Sequence, residues 1–463
     1  MQSSPQALDR RAHRLADTVR RFVRRGANRN ISRVIGKVRP EDVAKTLELL
    51  TPSEQLEVFL IALEDFGEVA GEVLLALEPS TMLSVLQELS AQQIADLLRP
   101  LQMDDTVALV DVLPEELREQ VVGLMEVSEG DELQTQLTYA DDSAGRIMNT
   151  EFFALSEETT VGQAISRLRE LGEVEMVFYL YVVDDEGDLS GVTSLRQLLL
   201  TDPGERLGDI MNRSVIRVHT ETDQEEVAQL ASRYDLLAIP VTDEINRLVG
   251  IVTVDDVIDI VQEEAEEDFF KMVGTTDDEL LYQAKSWKVA RIRLPWILVN
   301  LVGLCVTGVL MELFQVRLQE ALFLIMGAPV VMGMGGNIGA QTSTIAVRGI
   351  STGRLSPGSG RNMAFVLQQV RVGLLLGLVS GLLVALGAWV VERNPTFSLI
   401  VGVSLVAAIL LASFTGSIVP LLFERFGVDP AVAAGPMVTT TSDIMGIVVY
   451  FSLAFAMIDF LLG

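Results

Sequence analysis

Pro436-Met437-Val438-Thr439-Thr440-Thr441-Ser442-Asp443-Ile444 lies inside an apolar stretch, residues 430–458, long enough to cross a bilayer as a helix. A carboxylate at that depth is costly, and by default it marks an ion pathway. A buried ion pair is the bland alternative. It is weak here, because no Lys or Arg lies at comparable depth in any apolar stretch of the chain. Four hydroxyl residues, Thr439 to Ser442, add oxygen donors beside Asp443. Oxygen donors with a carboxylate suit a hard cation such as Mg2+, which dehydrates reluctantly and is often held through its water shell. One carboxylate cannot surround an ion. Two chains about a two-fold axis would place two Asp443 side chains on one path, which predicts a homodimer with a shared axial pore.

Four more stretches of span length precede this one: residues 294–314, 321–347, 372–391 and 397–423. The second contains Pro329 and then Gly333-Met334-Gly335-Gly336-Asn337-Ile338-Gly339-Ala340-Gln341-Thr342. Tight packing alone would explain the glycines. It does not call for Asn337, Gln341, Thr342 and Ser343, which fit a backbone lining a cavity. Gly336, Asn337 and Thr440 therefore join Asp443 as candidate pore and selectivity residues. With the N-terminus inside, five spans leave the C-terminus outside. Arg348, Arg354, Arg361, Arg371 and Arg425 then fall in inner loops, against Arg317 and Arg393 outside, as the positive-inside rule expects.

The charge is uneven. Residues 295–463 are neutral overall, with seven acids and seven arginines. Residues 1–39 carry a net of +9, and residues 40–294 a net of −38. An acidic excess of that size repels itself and needs counter-ions, for which divalent cations are effective. The basic stretch reads as an arm, and a mobile, solvated tail is the expectation for it, with anionic lipid headgroups as another partner. Cys305 is the only cysteine, so no disulfide framework and no cysteine metal site is expected. His13 and His219 read as incidental. The Arg-rich N-terminus lacks the apolar core of a signal peptide and should stay in the cytoplasm. No nucleophile–base pair, Walker loop or Cys/His site stands out, so an enzyme is not expected, and no nucleic-acid partner is expected either.

Residues 40–138 read as short helices. Met103, Val107, Val110 and Leu113 keep helical spacing. Thr51-Pro52-Ser53-Glu54 and Ser90-Ala91-Gln92-Gln93 read as capping boxes. Repeated joints of this kind predict a superhelical array of helix pairs. Residues 145–265 contain a duplication. Ile147-Met148-Asn149 returns as Ile210-Met211-Asn212, and the order β-α-β-β-α follows each time. This pattern resembles a pair of cystathionine-β-synthase (CBS) modules. The closing motif Gly250-Ile251-Val252-Thr253-Val254-Asp255-Asp256 fits the CBS form, and by that resemblance Thr253 and Asp256 would face a nucleotide, ATP being possible. In the first copy Gln197 stands where the Asp is expected, which puts binding there in doubt. A purely structural pair is the other reading.

After the pair come Glu263, Glu264, Glu266, Glu267 and Asp268, then Thr276-Asp277-Asp278-Glu279, which can cap a connecting helix ending in Lys285, Lys288, Arg291 and Arg293. Acids at its start and bases at its end complement the helix dipole.

Together these features resemble the MgtE family of magnesium channels. The resemblance is carried by Tyr139-Ala140-Asp141-Asp142-Ser143-Ala144-Gly145-Arg146-Ile147-Met148, by Arg293-Leu294-Pro295-Trp296, by Gly335-Gly336-Asn337-Ile338-Gly339-Ala340-Gln341 and by Asp429-Pro430 through Asp443. It implies a multidomain fold: a basic arm (1–39), an all-α superhelical N domain (40–140), an α/β CBS-domain pair (141–205 and 206–265), a connecting plug helix (266–293) and an α-helical transmembrane domain with five spans per chain (294–463). It implies a homodimer in the plasma (inner) membrane whose pore is lined by the second and fifth spans, with selectivity at Asp443. It also implies closure by cytoplasmic Mg2+ bridging acidic faces. Glu263, Glu264, Glu267, Asp268, Asp277 and Asp278 are the best placed by position. A membrane-anchored CBS nucleotide sensor without transport is the alternative. A CBS-bearing chloride channel fits poorly, because the membrane part is short and its polar positions favour cations.

Overall fold

The structure is a computed structural model that describes residues 5–170, 178–275, 286–315, 325–355 and 360–457. It divides into two compact units, Met1–Val261 and Gln262–Gly463.

The first unit opens with ten helices: α1 (Pro5–Val23), α2 (Asn28–Ile35), α3 (Pro40–Glu48), α4 (Pro52–Asp65), α5 (Gly67–Leu75), α6 (Pro79–Leu86), α7 (Ala91–Leu98), α8 (Met103–Asp111), α9 (Glu115–Val122) and α10 (Val127–Gln136). Both expected capping boxes form, Thr51 with Glu54 and Ser90 with Gln93. Each satisfies N–H groups that the first helical turn leaves without partners. One apolar core runs from Ala16 to Leu133 through all ten helices. No single helix could bury its apolar stripe alone, so neighbours must stack.

The expectation of a solvated N-terminal tail is corrected here. Ala12, Ala16 and Val19 of α1 and Ile31 and Ile35 of α2 are buried. Arg20 turns inward, its Nη2 donating to the Leu49 carbonyl at 2.7 Å. The bases drew the eye, but the apolar residues between them keep a period of three to four and dock the helix.

The duplicated region follows, with α11 (Ala144–Ile147), β1 (Ala154–Ser156), α12 (Val161–Glu170), β2 (Tyr179–Val183), β3 (Leu189–Ser194), α13 (Leu195–Leu200), α14 (Leu207–Ile210), β4 (Val218–His219), α15 (Gln224–Tyr234), β5 (Ala238–Thr242), β6 (Leu248–Thr253) and α16 (Val254–Val273). Each copy has a three-stranded sheet, β1-β2-β3 or β4-β5-β6, with one parallel and one antiparallel pair. The repeated tripeptide has a packing reason. Asn149 exchanges backbone hydrogen bonds with Ile251 of the second copy, and Asn212 does so with Val192 of the first. Each copy is thus completed by the lead-in of the other. The adjacent methionines fill the space this leaves. A Cβ on Gly250 would lie 2.6 Å from Met148 Sδ, and one on Gly191 would meet Met211. The glycine that opens each closing motif is therefore a seat for the partner copy's methionine.

In the second unit α16 ends, and α17 (Ser286–Gln315), α18 (Ala328–Ser351), α19 (Gly360–Glu392), α20 (Pro395–Arg425), α21 (Pro430–Ala434) and α22 (Pro436–Ala456) follow. Four of these, α17, α19, α20 and α22, are long and apolar enough to cross a membrane. The second expected span appears as α18, whose glycines and amides lower its apolarity. The last expected span is broken at Gly435 into α21 and α22. Lys288, Arg291 and Arg293 belong to α17, so the basic end of the connector and the first span form one helix. Residues 276–285, including Asp277 and Asp278, lie outside the described residues. Helix α20 is the central packing element against α18, α19 and α22. Helices α17 and α19 leave most of their apolar length exposed.

Candidate ion pathway and acidic sites

Asp443 lies on α22 facing α18. A Cβ placed on Gly336 would sit 3.1 Å from Asp443 Oδ1 and 3.3 Å from Thr439 Cγ2. The absence of a side chain at 336 is what lets the carboxylate approach the α18 backbone. No ion pair joins Asp443 to a described Lys or Arg. Two of the four residues singled out for the pore, Gly336 and Asp443, are therefore brought together. Asn337 is exposed on the next position of α18. Thr440 is turned elsewhere: its hydroxyl donates to Asn300 Oδ1 of α17 at 2.9 Å. That contact ties the first span to the helix carrying Asp443.

The acidic run on α16 splits into pieces. Asp268 accepts a hydrogen bond from the Ser351 hydroxyl at the end of α18, and burial raises its pKa. Lys271 Nζ bridges Glu267 Oε1 at 2.6 Å and Asp429 Oδ2 at 2.7 Å. Burial opposes the ammonium, but the hydrogen bonds to the two carboxylates raise the Lys271 pKa overall. Asp429 also caps α21 through the Ala431 N–H. Sequence reading assigned Asp429 no sensing role, since its Asp-Pro setting already explains it as a cap. Glu263 and Glu264 lie on the same helix, exposed and half-buried respectively.

In the second CBS-like copy the closing motif folds onto itself. The Thr253 hydroxyl donates to Asp256 Oδ2 at 2.6 Å, and the Thr253 N–H reaches the same oxygen at 3.3 Å. This caps α16. The equivalent position in the first copy behaves differently, because the Gln197 side-chain amide donates to the Ile210 carbonyl at 2.7 Å.

Asp256 has a second neighbour that sequence reading missed. Asp104, at the start of α8, sits close enough to feel its charge. Burial, then the charges of Asp256 and Asp105, push the Asp104 carboxyl up to about 8. Burial, then the charge of Asp255, push Asp256 up to about 6 against the hydrogen bonds from Thr253. Asp104 and Asp256 are both half-buried, and burial disfavours the charged form of each. The helical array is held there by a joint. The Arg146 guanidinium, 7 % exposed, grips Asp111 through two nitrogens at 2.6 and 3.0 Å, and Gln136 Nε2 donates to the Met148 carbonyl. Asn149 bonds Gln102 in the same joint. The only sequence hint of Asp104 was its place after a helix start in an acidic region. Its partner is 152 residues away.

An apolar helical bundle that holds a carboxylate against a helix glycine, preceded in sequence by an acidic helical array and a duplicated α/β module, is the arrangement of a cation transporter. Known proteins agree. A divalent cation transporter family model, MgtE, matches residues 328–453, an MgtE intracellular N domain model matches residues 38–142, and a CBS domain model matches residues 144–202 and 207–263. The chain is similar to the magnesium transporter MgtE of Bacillus subtilis, 34% identical over 94% of this chain and 96% of the relative. It is likewise similar to the magnesium transporter MgtE of Thermus thermophilus, 34% identical over 95% and 98%. A crystal structure of the cytosolic domain of the Mg2+ channel MgtE in complex with ATP is 34% identical, with a TM-score of 0.50, covering 53% of this chain and 99% of that one. The chain belongs to the MgtE family.

Proposed function

We propose that the protein carries Mg2+ across the plasma (inner) membrane through a pore shared by two copies, and that cytoplasmic Mg2+ closes it. The observation that carries this reading is Asp443 lying against Gly336 in the span region, with no cation beside it among the described residues. A carboxylate and nearby carbonyl oxygens can hold a hydrated Mg2+ by its water shell. Thr440 serves this path by fixing α22 to α17 rather than by lining it.

The oxygen-only donors at Asp104–Asp256 fit a hard cation, since both carboxyls are held above their ordinary range and would gain from a counter-charge. Bound Mg2+ supplies that charge. Without it, the charge of Asp256 opposes ionisation of Asp104, and the joint of Arg146–Asp111, Gln136–Met148 and Asn149–Gln102 holds the helical array in place. On α16, Glu267, Asp268 and Asp429 form the second acidic group, already partly neutralised by Lys271. A ligand shifts such an equilibrium only by its differential affinity for the two states. Homodimer contacts are supported by apolar residues left exposed on the closing helices of both copies, Leu199 and Leu200 on α13 and Ile258 and Val261 on α16. ATP would enter at the second copy, where its phosphate or ribose must compete with the Thr253–Asp256 bond.

The test is Mg2+ uptake by an Asp443→Ala variant that still inserts and dimerises. Loss of uptake is expected. Uptake equal to the parent overturns the assignment. ATP binding without any divalent flux from the parent protein marks the sensor-only alternative instead.

A further inference from the structure

We infer that the outer face of α1 and α2 is a docking surface for the anionic headgroups of the membrane itself. The two helices bury their apolar stripe in the core of the helical array. What remains outside is mainly basic: Arg11, Arg14, Arg21, Arg24, Arg25 and Arg29 are all exposed, with Asp17 as an exposed acid among them. The fold leaves these charges on the solvent side of α1, of the turn after it and of α2. It also spaces the charges, since Arg14 Nε and Arg21 Nε donate to carbonyls four residues back and hold their guanidinium groups near the helix.

Three observations choose the occupant. First, among described residues 10–39 no large hydrophobic side chain is exposed. Protein interfaces need apolar or aromatic anchors at their centre, whereas a headgroup layer reads charge alone. Second, α1 packs on α2, α3 and α4, while α8 is the helix that meets α11 of the duplicated region. The basic face therefore lies at the end of the array remote from the Asp104–Asp256 site and is not its counter-ion. Third, the sign is opposite to the rest of residues 40–294, with a net of +9 against −38. An acidic module tethered to a negative leaflet is repelled by it, and a basic face at one end sets which end approaches. The apolar stripe of α1 is already used, so the contact is electrostatic, without insertion.

The test uses the full chain with Cys305→Ser and Asn30→Cys, carrying a fluorophore on the new cysteine. The protein is reconstituted in vesicles of phosphatidylcholine alone or with phosphatidylglycerol, each holding an acceptor dye on a trace headgroup. Energy transfer should rise severalfold in the anionic vesicles and fall back when salt shortens the screening length from about 10 Å to about 3 Å. Replacing Arg11, Arg14, Arg21, Arg24, Arg25 and Arg29, six of the exposed arginines, by Gln should remove most of the rise. Arg20 is left intact because it anchors α1. A milder variant, Arg24→Gln with Arg25→Gln, alters only the turn after α1 and should give a partial loss with unchanged circular dichroism. Equal transfer in both vesicle types overturns the inference. So does a rise that the Gln variant keeps in full, or that inorganic phosphate removes at matched ionic strength. Cross-linking of the Asn30→Cys site to a second copy overturns it in favour of a protein partner. None of these readouts depends on ion flux, so the inference can fail while the transport reading stands.

Discussion

The chain handles buried carboxylates in two opposite ways. In the bundle, Asp443 faces the bare backbone of Gly336 and joins no ion pair among the described residues. In the first unit, Asp104 and Asp256 come from different parts of the chain, and the charge of Asp256 adds to burial in raising the Asp104 carboxyl. A lone carboxylate with room beside it can touch a passing ion without binding it too tightly to leave. Two carboxylates that raise each other's cost of ionisation would, on the proposed reading, respond to a divalent counter-charge. The difference is one of neighbours and not of residue type.

The largest effect is expected at Asp443. Asp443→Asn keeps the shape and removes the charge. Flux should fall by at least about tenfold, because a hydrogen bond to a charged group is worth roughly 1.5–3 kcal/mol and each ~1.4 kcal/mol is tenfold. Isotope or dye-based Mg2+ uptake reads this directly, and unchanged flux would dissolve the contrast with the paired site.

Arg146→Ala attacks the other side of the comparison by removing the tie that brings Asp104 to Asp256. Asp111 is one-third exposed, so the cost is about 1–3 kcal/mol, below that of a fully buried pair. Earlier proteolysis between the helical array and the duplicated region is the expected outcome. Equal protection would mean that the joint is held by other contacts.

Asp104→Asn should act oppositely. With Asp104 held at about 8 against an ordinary value near 4, the folded state binds more protons than the unfolded one between those values. Stability of the metal-free protein therefore declines as pH rises through that window. Above about 8 the full penalty is felt, and below about 4 it vanishes. The Asn variant should flatten this slope and lose Mg2+-dependent protection. A parent protein whose melting temperature does not change between pH 6 and 8 without Mg2+ would count against the pair.

The smallest effect is expected from Thr440→Val, which removes one hydrogen bond between α17 and α22. Such bonds within a bilayer average about 0.6 kcal/mol. A modest change in Mg2+ uptake, with selectivity unchanged, would sharpen the assignment of Thr440 to positioning. A change in selectivity would return it to the pore wall.

Much of the fold was legible because its signals are local. Capping boxes, the repeated Ile-Met-Asn, the apolar stretches and a carboxylate inside one of them are all features of neighbouring residues. The opposite was true of residues 1–39. Their charge suggested a tail, and only the docking of Ala12, Ala16 and Val19 showed two packed helices. The repeated tripeptide was visible as a pattern, but its cause was not, since Met148 and Gly250 meet across a hundred residues of chain.

The sequence by itself determined where the chain is apolar, where it is acidic and that Asp443 lies inside an apolar stretch of span length, because these are read from composition along a line. Only tertiary structure decided which charges meet. It set Asp104 against Asp256, gave Lys271 both Glu267 and Asp429, and turned Thr440 toward Asn300. Electrostatic energy depends on distance through space, and distance between residues far apart in the chain exists only once the helices have packed.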